Sequence, residues 1–279
     1  KNVGTKNSSC FLYGLCPLWL WLALGYQAGE SVDIQFQLTG SAGELRCGSD
    51  FVLGSSTTQL ADLRFYIHAP ELLDDQGLWH AVQFVDDGIW QEPNIALLDF
   101  EDASGRCING SVQIRKQVEL QTEIAEPTGF RFKVGVPFEK NHQDPALSTG
   151  PLAYGSMNWG WQAGYKFLRI DLNGQDDSYR FHLGSTGCQG TIGAITACER
   201  PNRPQIELSP FTPQTHVIKL DLPTLFAGSA IDQNSPDTAQ GCMSNNDDPD
   251  CAPLFEQLGL NLTTGAVQDM AKIFTIELK

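Results

Sequence analysis

Four widely separated segments of this chain alternate apolar and polar residues with a period of two. "VDIQFQL" carries Val32, Ile34, Phe36 and Leu38 on one side, and "FRFKVGV" does the same with Phe130, Phe132, Val134 and Val136. "HVIKLDL" (216–222) and "KIFTIEL" (272–278) repeat the pattern. A period of two puts successive side chains on opposite faces of a strand, so each segment has one dry and one wet face. Turn chemistry separates the segments: "DDQG" from Asp74, "DDG" from Asp86 and "NGQDDS" from Asn173. No window sustains a period of 3.6. Short helices are expected only at "LPTLF" (222–226) and "APLFEQLGL" (252–260), the second stopping at Gly259. No linker or repeat divides the chain. The expectation is a mainly β fold: residues 30–279 as one irregular β-sandwich or barrel-like domain, with short helices and long disulfide-tied loops.

The segment before that domain reads as an export leader. Lys1 and Lys6 precede an uncharged apolar run from Cys10 to Gly25, and "ALG" (23–25) offers small residues at cleavage spacing. Residues 1–25 are therefore expected to be a signal peptide, or an anchor that stays attached. Two of the eight cysteines lie in this leader, leaving Cys47, Cys107, Cys188, Cys198, Cys242 and Cys251. An even number in an exported chain favours disulfides over reactive thiols, and no CxxC pair suggests a zinc ribbon. Six cysteines allow fifteen pairings. Proximity along the chain suggests Cys188–Cys198 and Cys242–Cys251 as local staples, with Cys47–Cys107 remaining. The formal charge of −15 makes nucleic acid and anionic membrane surfaces poor partners and favours a cation or a basic protein.

"YGSMNWGWQAGYKF" (154–167) concentrates one of three methionines and two of six tryptophans in one short stretch. If the segment is a strand, Met157, Trp159 and Trp161 share a face. A thioether is a soft ligand that suits Cu(I), and a tryptophan beside such a site can shield it or be oxidised; large residues filling a core would read the same way. A histidine could complete the set. His142, in the polar loop "FEKNHQDP", is the first candidate, followed by His182 in "SYRFHLG" and His68 in "RFYIHAP". In a hairpin around Asn173, His182 pairs near Arg169, roughly 33 Å along a straight strand from Trp159, so it would need a bent sheet to reach. His80 and His216 read as structural or surface residues.

Enzyme motifs are absent: no HExxH, GxSxG, P-loop or CxxCH occurs. Asp99 and Glu101 in "LLDFED" could form a hydrolytic carboxylate pair, a weak signal among 33 acidic residues. "NNDDPD" (245–250) offers oxygen ligands without the EF-hand spacing and reads as a solvated loop. An aromatic platform of Trp159, Trp161 and Tyr165 that binds carbohydrate is the alternative non-catalytic reading.

The segments "CGSDFVLG", "DLRFYIH", "GIWQEPNIALLDFED", "FKVGVPFEKNHQD", "MNWGWQAGYKFLRIDL", "FHLGSTGC" and "GCMSNNDDPDC" follow one another in an order that resembles the MbnP family of exported bacterial copper proteins, the four-Cys members of a metalloprotein pair. The resemblance implies a non-enzymatic, periplasmic or extracellular protein that binds one copper ion as Cu(I) in copper homeostasis. It implies a dihaem partner, MbnH, of the MauG and cytochrome c peroxidase group, which oxidises the first tryptophan of a WxW motif to kynurenine. Here that residue is Trp159, with Trp161 as its neighbour. The family's methionine and histidine ligands carry over to Met157 and His142, with Met243 of "GCMS" as the alternative methionine. The acidic surface would steer docking of a partner with a basic face. Six cysteines after the leader, rather than four, place one pair outside the family's signature.

Overall fold

The computed structural model describes residues 30–160, 162–174, 178–191 and 193–279. The leader with Cys10 and Cys16, Trp161, and the middle of the "NGQDDS" turn lie outside them. The strands that frame the molecule are β1 (Glu30–Gly40), β2 (Ser56–Leu73), β3 (Ile95–Asp99), β4 (Gln117–Thr122) and β5 (Gly129–Val134). A second group contains β6 (Asn158–Gly160), β7 (Gly164–Tyr165), β8 (Leu168–Asn173), β9 (Ser178–Leu183), β10 (Thr186–Thr191) and β11 (Ala194–Arg200). β12 (Gln205–Leu208), β13 (His216–Asp221) and β14 (Phe274–Leu278) complete the set. The helices are single turns or little more: α1 (Phe138–Asn141), α2 (Leu222–Leu225) and α3 (Ala252–Gln257).

One sheet runs β14-β13-β1-β4, and the other runs β9-β8-β2-β5-β12 with β3 also paired to β2. The dry faces anticipated from the alternation meet between them. Phe36 of β1 packs edge-on against Phe65 of β2 and Phe132 of β5, at centroid distances of 6.0 and 5.9 Å. Phe274 of β14 reaches the same two rings. The sheets form a sandwich with one continuous core and do not close into a barrel. The alternation weakens at strand ends, where Val32 is half-buried and Leu278 exposed.

All three disulfides follow the pairing by proximity: Cys47–Cys107, Cys188–Cys198 and Cys242–Cys251. In the chain-entropy account the first, closing 60 residues, contributes about 4 kcal/mol and each local one about 3. Both expected helices form, and Gly259 takes φ +65 just past α3, the left-handed position of a helix stop. Asp74 accepts from the backbone of Gln76 and Leu78, and Asp86 from that of Gly88, so those turns are held by Asx chemistry.

Candidate metal centre

The strand geometry expected for "YGSMNWGWQAGYKF" is only partly realised. Residues Gly155–Met157 form a 3-10 turn, and the strand begins at Asn158. Three cationic side chains hold that turn: Lys166 Nζ donates to the Ser156 carbonyl at 2.7 Å, Arg169 to the same oxygen at 3.1 Å, and Arg64 to the Ser156 hydroxyl at 2.9 Å. Met157 is consequently turned into the core and fully buried, while Trp159 is half-buried. The expectation that both extend from one strand face is therefore corrected. Met157 is not on the wall of the cavity that Trp159 lines.

That cavity, of about 460 Å³, has Trp159, Ser185, Cys188 and Met243 on its wall. Its floor depends on Gly184. A Cβ there would fall under 3.0 Å from the indole Cζ3 and 3.2 Å from Cε3, so the ring is seated directly on glycine backbone. Asn202 donates to the Gly184 carbonyl at 2.7 Å, and Gly184 N donates to Ser244 Oγ at 3.1 Å, which fixes that backbone.

Met243 arrives from the long polar loop by a ladder no local pattern announces. Cys242 N donates to Arg180 O at 2.8 Å and His182 N to Cys242 O at 2.9 Å, so Cys242 lies against β9 as a bridge residue. Gly241 permits this approach: its φ is +75, and a Cβ would clash with the Arg180 backbone. Ser244 Oγ then donates to the His182 carbonyl at 2.9 Å. The Cys242–Cys251 disulfide, buried at both ends, ties the loop behind it.

His182 pairs with Arg169 in the β8–β9 hairpin, as the sequence suggests. It nevertheless reaches the tryptophan, its ring centroid lying 6.2 Å from that of Trp159. The chain makes this possible by reversing twice, between β6 and β7 and between β8 and β9: Asn158 pairs with Tyr165 and Phe167 N donates to Leu183 O, so the return strand carries His182 back toward Trp159. The distance along the strand overstated the separation because the path is folded. His182 Nε2 and Asp171 Oδ1 are 2.6 Å apart. Burial, stronger than the attraction of Asp171, holds the imidazole below its usual range and keeps it neutral. Burial alone would raise Asp171, but the bonds from His182 and Arg169 prevail and bring it to about 2. With Nε2–H tied to a carboxylate, the ring's lone pair resides on Nδ1, the arrangement usual for a metal-binding histidine.

His142 follows α1 and is 8% exposed. Its Nε2 lies 3.3 Å from Cys198 Sγ, across the Cys188–Cys198 disulfide from the tryptophan cavity. Asn141 Oδ1 accepts from Tyr165 N at 2.9 Å, which fixes the amide and points its Nδ2 at His142 Nε2, 3.1 Å away. Gly164, at φ +78, leaves room for Asn141, whose amide a Cβ would overlap. His142, Cys188 and Cys198 bring one nitrogen and two sulfurs within 4.8 Å of one another. His68 does not join this group. It sits on β2 in a separate cavity with Arg203, its pKa lowered to about 3 by burial and then by Arg203 and Lys133. His80 pairs with Asp74 at the surface, and His216 Nδ1 accepts from Thr212 N, both structural as expected.

Two other readings lose their footing. Tyr165 is fully buried and donates to Leu152 O, with Ser148 Oγ also 2.9 Å from its hydroxyl, so it cannot extend an aromatic platform. Asp99 and Glu101 are buried beside the Asp62–Arg64 ion pair and line none of the described cavities. Sequence reasoning singled out neither Gly184 nor Asp171. Gly184 was present in "FHLGSTGC", but the signal for its role, an indole pressed on its Cα, is tertiary.

The fold and site together define a disulfide-stapled β-sandwich with a tryptophan, a methionine and a disulfide cysteine on the wall of one pocket, His182 against the tryptophan ring and His142 against the same disulfide. The family model for MbnP matches residues 29–244, and the chain belongs to the MbnP family. A solved structure, MbnP from Methylosinus trichosporium, is similar at 30% identity with a TM-score of 0.80, covering 89% of this chain and 98% of that one. No curated protein matches. Three disulfides and this family point to an exported protein, and no described helix is long and apolar enough to cross a membrane.

Proposed function

We propose that this chain is a periplasmic or extracellular copper(I)-binding protein of bacterial copper homeostasis, without catalytic activity of its own. Its site would form at the Trp159 cavity once a dihaem partner of the MbnH type has oxidised Trp159 to kynurenine. The observation that carries the reading is the company Trp159 keeps: His182 against its ring and Met243 on the same cavity wall. Thioether and neutral imidazole are the donor types Cu(I) prefers. Indole has an N–H donor and no accessible lone pair. Ring opening would give an aniline nitrogen and a carbonyl, turning an apolar wall into one able to meet a metal. His142, on the far side of Cys188–Cys198, supplies a further imidazole. These residues fit the ion. Met243 therefore replaces Met157 as the sulfur ligand in this proposal, and half-burial leaves Trp159 reachable by an oxidising partner.

The test is co-expression with the dihaem partner. Mass spectrometry should show Trp159 losing one carbon and gaining one oxygen, and the purified protein should retain one copper. Met243→Ala should lose copper while keeping the modification, and Met157→Ala should act on stability instead. Equal copper retention by Trp159→Phe would refute the proposal.

A further inference from the structure

Of the three disulfides among the described residues, two are dry. Cys47, Cys107, Cys242 and Cys251 are each at most 9% exposed and tie loops into the core. Cys188–Cys198 differs at one end: the two residues oppose one another directly across the β10–β11 hairpin, and while Cys188 is 9% exposed, Cys198 is only half-buried. It is thus the bridge an external thiol meets first. It is also the one with an imidazole beside it, His142 Nε2 at 3.3 Å from Cys198 Sγ. The amide of Asn141 points its N–H at that nitrogen, so Nε2 is the acceptor nitrogen of the ring, and a metal would take over the lone pair that this N–H now meets.

Two sulfurs on one ion, at about 2.3 Å each, lie at most about 4.6 Å apart, and a sulfur and a nitrogen at most about 4.3 Å. The three donor atoms already lie within 4.8 Å of one another. Ligation therefore asks chiefly that the two sulfurs part, which a two-stranded hairpin can accommodate by a small opening of its strands.

We infer that Cys188, Cys198 and His142 form a latent soft-metal site that is closed while the disulfide stands and takes one Cu(I) once it is reduced. An external dithiol supplies two electrons and two protons. The Cys188–Cys198 bond breaks, two S–H groups form, and the dithiol leaves as its own disulfide. Metal uptake then releases both thiol protons to solvent, giving two thiolates and an imidazole, a soft set suited to low-coordinate Cu(I). Because Cys188 also lines the Trp159 cavity, reduction would place a competing copper site in its wall. The inference uses His142 and the two sulfurs alone and does not depend on the state of Trp159.

The experiment uses the full exported chain as Trp159→Phe, so that failure of the kynurenine reading cannot affect it. Brief anaerobic treatment with dithiothreitol, its removal, and alkylation with mass mapping should label Cys188 and Cys198 before any other pair. The protein so reduced, titrated with Cu(I) against a chromophoric Cu(I) chelator, should bind one equivalent that the oxidised protein does not. Cys188→Ser/Cys198→Ser should abolish this binding, and His142→Gln should weaken it at least tenfold with unchanged circular dichroism. Prior labelling of another pair, no binding after reduction, or binding indifferent to His142→Gln would each overturn the inference.

Discussion

Replacing Gly184 by alanine tests whether Trp159 is seated as described. Gly184 lies outside the left-handed region, so alanine is allowed there by the backbone. An alanine at an unstrained, open position would stabilise the protein by about 0.4–1 kcal/mol, because the unfolded chain loses freedom. Here the new methyl group would fall under 3.0 Å from Trp159 Cζ3, with the Tyr165 carbonyl at 3.0 Å on its other side. Carbon atoms prefer about 3.5–4.0 Å, so the indole must retreat by on the order of 1 Å. The backbone cannot yield instead, because Asn202 and Ser244 hold both polar groups of Gly184.

Overpacking of this kind costs about 1–3 kcal/mol. The open cavity beside the ring gives it somewhere to go, so the low end applies. After the unfolded-state term of about 0.4–1 kcal/mol is subtracted, Gly184→Ala should be destabilised by no more than about 0.6 kcal/mol, read as a slightly lower urea midpoint at unchanged slope. In a Trp159→Ala background the same change should become more favourable than in the parent, since only the Tyr165 carbonyl, at 3.0 Å, then crowds the methyl group. A double-mutant cycle isolates that difference. Gly184→Ala that is more stable than the parent in both backgrounds would refute the seating of the indole.

Asp99 should make stability depend on pH in a way its asparagine variant exposes. Burial, partly offset by the Glu101 N–H and Arg64, raises Asp99 from 3.8 to about 7. The folded state therefore holds a proton that the unfolded state has released, and stability is lost as pH rises from about 4 to 7, by about 4 kcal/mol. His68, held near 3, has the opposite slope over much of that range, so the parent's profile is flatter than Asp99 alone would make it. Asp99→Asn should gain on the parent steadily from pH 4 to 7 in urea unfolding; a constant difference would show that Asp99 does not titrate there. Asp171→Asn removes the buried charge between His182 and Arg169 and should cost about 3 kcal/mol by the same assay. A cost under about 0.5 kcal/mol would show that the network does not order this wall.

The sandwich was legible in the chain because its evidence is local. A dry face repeats every second residue through Ile34, Phe36 and Leu38 or Phe130, Phe132 and Val134, and those faces have nowhere to go but against each other. Helix stops, turns and proximity of cysteines are local in the same sense, and each was readable at Gly259, Asp74 or Cys188–Cys198. Trp159 was also legible, through composition and through the ordered MbnP motifs. Its neighbours were not. Period-two reasoning assumed a strand through Met157, whereas Arg64 and Arg169 of other strands, with Lys166 from the segment's own far end, hold that stretch as a turn at Ser156. His182 and Met243 reach Trp159 through the successive reversals β6–β7 and β8–β9 and through a ladder at Cys242, pairings that no single segment announces. Periodicity says which way a side chain faces within its own segment. Which segment it then faces is decided by the packing and hydrogen bonding of the whole core.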